Sequence, residues 1–114
     1  MPRVLMLYTG GTTGVPKGAV LSHYNLVANA LQFKGWFQYQ EGKEIFIAVL
    51  PLFHIGGIAG AMSVPIASAG TMVLFRRFQT KGVLQAIEKY QASRFLGVPT
   101  MYLAILNLET AGSF

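Results

Sequence analysis

The sequence predicts an α/β fold, with alternating strands and helices and a largely parallel sheet. Three observations carry this. Short strand-like runs recur at Arg3–Tyr8, Ile45–Leu50, Thr71–Phe75 and Arg94–Val98, and Ile45–Leu50 is continuously apolar in the way of a strand buried on both faces. Segments with helical periodicity stand between them. Two glycine-rich loops each follow a strand, where open α/β sheets gather their ligands. At 114 residues the chain is expected to form one domain, spanning 1–114 with no second domain, repeat or linker.

The elements follow in order. Arg3–Tyr8 reads as a buried strand that runs into the loop beginning at Thr9, and Ala19-Val20-Leu21 as a second short strand. Ser22 is the expected N-cap of a helix from about Tyr24 to Phe37, with Leu26, Ala30, Phe33 and Phe37 at helical spacing. Ile45–Leu50 is a strand stopped by Pro51. Ile55–Ser68, rich in Gly and Ala, reads as a closely packed helix kinked or ended at Pro65. Thr71–Phe75 is the next strand. Thr80 is expected to cap a helix in which Val83, Leu84, Ile87 and Tyr90 share the apolar face. Arg94–Val98 is the last strand, broken by Pro99, and Thr100 opens a final helix to about Leu108. Met62, Val64, Ile66, Trp36 and Phe37 read as core rather than as a tunnel lining.

Composition narrows the function. Nine Lys+Arg against four Asp+Glu give a net charge of +5, and the cations are scattered rather than run together. That suits an anionic small ligand, and with no recognition motif it argues against nucleic acid. There is no cysteine, so neither a disulfide framework nor a Cys-ligated metal is expected. His23 has no second histidine at metal-ligand spacing, so no zinc site is expected. No Asp, Glu, Lys or Arg falls between Ile45 and Phe75, yet Pro and Gly punctuate that run too often for a membrane span. The N-terminus lacks an apolar stretch of secretion-signal length. A cytoplasmic location is expected, with at most peripheral membrane attachment.

The loop Thr9-Gly10-Gly11-Thr12-Thr13-Gly14-Val15-Pro16-Lys17-Gly18 carries the most chemistry. Glycines free the backbone to turn N–H groups toward an anion, hydroxyls add donors and Lys17 adds a positive charge, a composition suited to polyphosphate. A Walker A loop is excluded, because that pattern needs Gly before and Ser or Thr after the lysine, and here Pro16 and Gly18 flank it.

In this order, with Ala19-Val20-Leu21-Ser22-His23 following, the run Tyr8–Gly18 resembles the phosphate-loop motif of the adenylate-forming superfamily. That superfamily includes acyl-CoA synthetases, aryl-CoA ligases, luciferases and peptide-synthetase adenylation domains. The resemblance implies that Thr9, Gly10, Gly11, Thr12, Thr13, Gly14 and Lys17 hold the phosphates of ATP while a carboxylate attacks the α-phosphorus, giving acyl-AMP and pyrophosphate. Gly11 stands where many relatives have serine. Leu50-Pro51-Leu52-Phe53-His54-Ile55-Gly56-Gly57 resembles the next family motif, which implies that His54 is a catalytic candidate near the acyl pocket and that the glycines leave space for substrate. Phe53-His54 favours CoA ligases over peptide-synthetase domains. Gly97-Val98-Pro99-Thr100-Met101-Tyr102 matches a third segment, to which no chemistry is assigned.

The family's reaction implies ATP, Mg²⁺ and CoA, with a carboxylic acid, most like a fatty acid, as substrate. Relatives are several times longer, and the motifs that hold adenine, ribose and Mg²⁺, with the catalytic lysine of the mobile C-terminal domain, have no counterpart in these residues. The chain is therefore expected to be part of an AMP-binding domain that works with the remaining parts of a parent ligase and turns over little by itself. The alternative is a noncatalytic phosphate-binding or scaffold module that kept the loop.

Overall fold

A computed structural model describes residues 2–10 and 14–108. Strands β1 (Arg3–Thr9) and β2 (Lys17–Ser22) pair antiparallel, and helix α1 (His23–Trp36) follows directly. Strand β3 (Ile45–Ala48) leads to a π-helical segment, Gly57–Ser63, that continues as α2 (Val64–Ala67). Strand β4 (Thr71–Leu74), helix α3 (Thr80–Tyr90), strand β5 (Arg94–Phe95) and helix α4 (Pro99–Leu106) complete the order. The three later strands form a parallel sheet in the order β4-β3-β5.

The α/β class holds, with one correction to the sheet. The Arg3–Tyr8 run and the short Ala19–Leu21 strand form a separate two-stranded hairpin and are not members of the parallel sheet. With one partner strand and no layer over most of its surface, β1 is open, and Val4, Met6 and Tyr8 are exposed. A continuous apolar run signals burial on both faces only when the strand sits inside a sheet.

β3 is the centre of the packing. Phe46 joins Ala30 of α1 and Val64 of α2 on one face of the sheet. Ile47 and Val49 pack with Val83 and Ala86 of α3 on the other, where Met101 of α4 also lies. Successive strand side chains point to opposite faces, so this short segment serves two cores. Full burial of one such apolar side chain contributes roughly 1.5–3 kcal/mol.

Local chemistry explains most element boundaries. Ser22 caps α1 as expected: its Oγ accepts from the Asn25 N–H at 3.2 Å, while Asn25 Oδ1 accepts from the Ser22 N–H at 2.8 Å. Gln79, not Thr80, stands at the cap of α3 and gives no side-chain hydrogen bond. Tyr90, expected on the apolar face of α3, is exposed, and Lys89 Nζ lies 5.1 Å from its ring centroid. β5 ends at Phe95, earlier than its apolar run suggests. Gly97 N–H donates to the Tyr102 hydroxyl at 2.8 Å, and that hydroxyl donates to the Phe95 carbonyl at 3.2 Å, so a loop replaces the ladder there.

The Gly/Ala-rich helix is wider than expected. Val64 N–H donates to the Ala59 carbonyl five residues back, the π pattern, and α geometry resumes around Pro65, which has no N–H to give. Of the five residues read as core around this helix and the end of α1, Val64 is fully buried, but Ile66 and Trp36 are largely exposed. Among the described residues, no helix is long and apolar enough to cross a membrane.

A polar cluster ties the N-terminal ends of the sheet together. The buried Glu44 carboxylate accepts from Arg94 Nε at 3.0 Å, Ser93 Oγ at 2.8 Å and the Gln40 N–H at 2.8 Å. The Arg94 guanidinium lies 4.5 Å from the Tyr39 ring centroid. The Arg94 bond, then the Gln40 N–H, holds the Glu44 carboxyl at about 2, below its ordinary 4.5. A folded pKa below the unfolded one means the stabilisation is complete above pH 4.5 and is lost as pH falls toward 2. Thermal unfolding of the wild-type chain should show that loss on acidification, whereas Glu44→Gln should be less stable near neutrality by about 2 kcal/mol and much flatter with pH in that window.

Candidate functional site

The glycine loop closes the hairpin at the pair Thr9–Lys17. Thr9 Oγ1 donates to the Lys17 carbonyl at 3.3 Å, so this hydroxyl serves the stem of the loop. Lys17 is exposed at the mouth beside it. A Cβ added at Gly10 or Gly14 would meet no atom within 4 Å, and Gly14 has φ +93°, which a side chain would strain. The described part of the loop is thus open main chain next to a cation. Gly11, Thr12 and Thr13 lie outside the described residues.

His54 follows the C-terminal end of β3. In the order β4-β3-β5 the chain leaves β3 for one neighbour and later returns on its other side. Such a switch of direction opens a crevice at the strand ends, where α/β sheets bind ligands. Three hydrogen bonds shape the loop there. His54 N–H donates to the Pro51 carbonyl at 3.1 Å, Ile58 N–H donates to the His54 carbonyl at 3.0 Å, and Gly56 N–H donates to His54 Nδ1 at 3.1 Å. Because Nδ1 accepts, the neutral ring carries its proton on Nε2, the nitrogen left to donate to a ligand.

The structure brings the stem of the loop and the histidine together. Tyr8 and Thr9 of β1, Leu21 of β2, Leu26 of α1 and the Phe53-His54-Ile55 turn line one cleft of about 510 Å³. That size lies in the range of small-molecule sites, and the walls are apolar with few polar groups, as such sites require. Gly57 plays a different part from the one its motif implies. It is buried, and a Cβ there would run into the Pro51 carbonyl, so its missing side chain makes room for the main chain that holds His54, not for substrate.

Two features escaped the sequence. Arg76 and Arg77 follow β4 and border a second cleft of about 560 Å³ at the strand C-termini, with Leu50, Phe53 and Leu74 among its walls. Their position right after an apolar run was the available signal. Asn25 and Asn29, one helical turn apart on α1, line the first cleft. Among the described residues no group of three or more His, Asp or Glu converges. Glu44 bonds to Arg94, and Glu41 approaches Lys34 at 4.0 Å.

Comparison with known proteins decides the family. The family model for AMP-binding enzymes matches residues 3–113. The chain belongs to the AMP-binding enzyme family. It is 36% identical over 104 residues to a long-chain-fatty-acid–CoA ligase of Bacillus subtilis (strain 168), a match covering 90% of this chain and 19% of that protein. The structure resembles ATP-bound MatB from Rhodopseudomonas palustris with a TM-score of 0.81 at 34% identity, over 94% of this chain and 22% of that one. It also resembles o-succinylbenzoate CoA synthetase (MenE) from Bacillus subtilis, in complex with the acyl-adenylate intermediate OSB-AMP, with a TM-score of 0.80 at 31% identity, over 89% of this chain and 26% of that one. The chain thus spans about a fifth to a quarter of the length of these AMP-binding relatives.

The seating of Gly57 on Pro51 gives a direct test. Gly57→Ala should destabilise the fold by about 1–3 kcal/mol, the usual range for overpacking. It should also move the His54 ring resonances in NMR spectra, and ring resonances that stay in place would show that the turn does not depend on the absent side chain.

Proposed function

We propose that the protein to which these residues belong activates a carboxylic acid with ATP and passes the acyl group to CoA. The single observation that carries the reading is that Thr9, paired with Lys17 at the stem of the glycine loop, lines one cleft with His54. In the first step an acid carboxylate oxygen attacks the α-phosphorus of ATP, the bond to the β-phosphate oxygen breaks, and acyl-AMP and pyrophosphate form. In the second, the CoA thiol attacks the acyl carbon, loses its proton and releases AMP.

The contribution of this chain is electrostatic and positional. Lys17 and the donors that the Gly10–Gly14 sequence supplies neutralise charge on the departing pyrophosphate. The Thr9–Lys17 bond holds the mouth of that loop. His54 donates from Nε2 to an oxygen of the acid or of the α-phosphate and orients the pair for attack. Arg76 and Arg77 supply positive charge for an anionic second substrate at the neighbouring cleft, in keeping with the phosphates of CoA.

Leu7, Leu21, Leu26, Phe53 and Ile55 give the cleft apolar walls, which favour an acid with an apolar body such as a fatty acid. Similarity to a long-chain-fatty-acid–CoA ligase supports the same choice. In this reading 1–114 forms part of a larger nucleotide-binding domain. Mg²⁺ ligands, adenine contacts and the remaining catalytic groups come from elsewhere in the protein.

Calorimetric titration with ATP tests the loop. A Lys17→Ala, Thr13→Ala variant with unchanged folding should bind at least tenfold more weakly than wild type, about 1.4 kcal/mol. Equal affinity of the two forms would move the phosphates off this loop. Residues 1–114 alone should release no pyrophosphate from ATP in the presence of fatty acids; acid-dependent turnover would show that the other segments are dispensable.

A further inference from the structure

The first cleft has a polar wall that an unfunctionalised fatty acid would leave without a partner. Asn25 and Asn29 stand four residues apart on α1, about 6 Å along the helix and on one side of it. Asn25 already works in the capping box, its Oδ1 accepting from the Ser22 N–H and from the Ser22 hydroxyl. Asn29 has no such task. It lies inside the helix, half-buried, and its amide makes no side-chain hydrogen bond to any described residue.

Both facts weigh against a purely structural role. Asparagine is a poor former of helix interiors, and a half-buried amide among apolar neighbours costs free energy unless something bonds to it. A bare alkyl chain lying against Asn29 would offer the amide no partner, whereas a ligand oxygen would bond to it.

We propose that Asn29 is a specificity-determining residue that selects acids whose apolar body carries a hydroxyl or keto oxygen over the corresponding plain alkyl acids. The Asn29 amide offers two N–H donors and one carbonyl acceptor, so either oxygen function is served. Leu7, Leu21, Leu26, Phe53 and Ile55 take the apolar remainder. This inference rests on the ligase reading above.

The test is acid-dependent exchange of pyrophosphate into ATP by the full-length protein, with two matched pairs of probes: octanoate against ω-hydroxyoctanoate, and cinnamate against p-hydroxycinnamate. Wild type should favour the oxygenated member of at least one pair in kcat/KM by about tenfold, the scale of one net hydrogen bond. Asn29→Leu should abolish that preference while keeping or raising exchange with the plain acid, which also certifies that the variant folds. Leucine is the better helix former at this position. Robust exchange with no preference for oxygen, or a preference that survives Asn29→Leu, overturns the role of Asn29 and leaves the ligase reading intact. Absence of exchange with all four acids and with a wider acid panel overturns the ligase reading and this inference together.

Discussion

Parallel pairing of β3 on both of its edges is the constraint on which the other elements depend. Phe46 and Ile47 each pair with β4 and with β5, and they feed opposite cores. With only four residues, this strand fixes α1 and α2 on one face and α3 and α4 on the other. The chain that leaves its C-terminal end must then cross into the crevice between the two connections, and that crossing carries Pro51 to His54. The site is a consequence of where β3 sits in the order β4-β3-β5.

The two ends of this sheet are organised by different physics. At the N-terminal end, Glu44, Ser93 and Arg94 use up one another's hydrogen-bonding capacity. Ser93 Oγ also accepts from the Ile45 N–H at 2.9 Å, which stitches β5 to β3 before the ladder begins. Breaking one member of such a cluster strands the others, so it acts as a unit. His54 Nε2, the Asn29 amide and the two arginines after β4 have no hydrogen-bond partner among the described residues and border open clefts. Saturated polar groups hold the sheet, while unsaturated ones are the means by which it could hold a ligand.

The hairpin stands apart from the sheet. A two-stranded ribbon has little independent stability and gains most from what it rests on. Here Leu7 and Leu21 face the same cleft as Leu26 and Ile55, which sets the stem of the glycine loop against α1 and the histidine turn. The Thr9–Lys17 bond joins the two strands at the mouth of the loop.

Much of this was readable from residue order. Ser22 ahead of Leu26, Ala30 and Phe33 at helical spacing announced α1, and the spacing of Val83, Leu84 and Ile87 announced α3, because local hydrogen bonding and side-chain periodicity operate within a few residues of each other. Sequence could not separate the hairpin from the parallel sheet, since an apolar run looks the same whichever strand it pairs with. It assigned Gly57 to substrate space, and only the folded chain brought the Pro51 carbonyl against it. It counted Glu44, Arg94, Arg76 and Asn29 as ordinary polar residues, and the fold made one pair a buried anchor and set the others on cleft walls. Those outcomes depend on contacts between residues tens of positions apart, and such contacts exist only once the strands have chosen their neighbours.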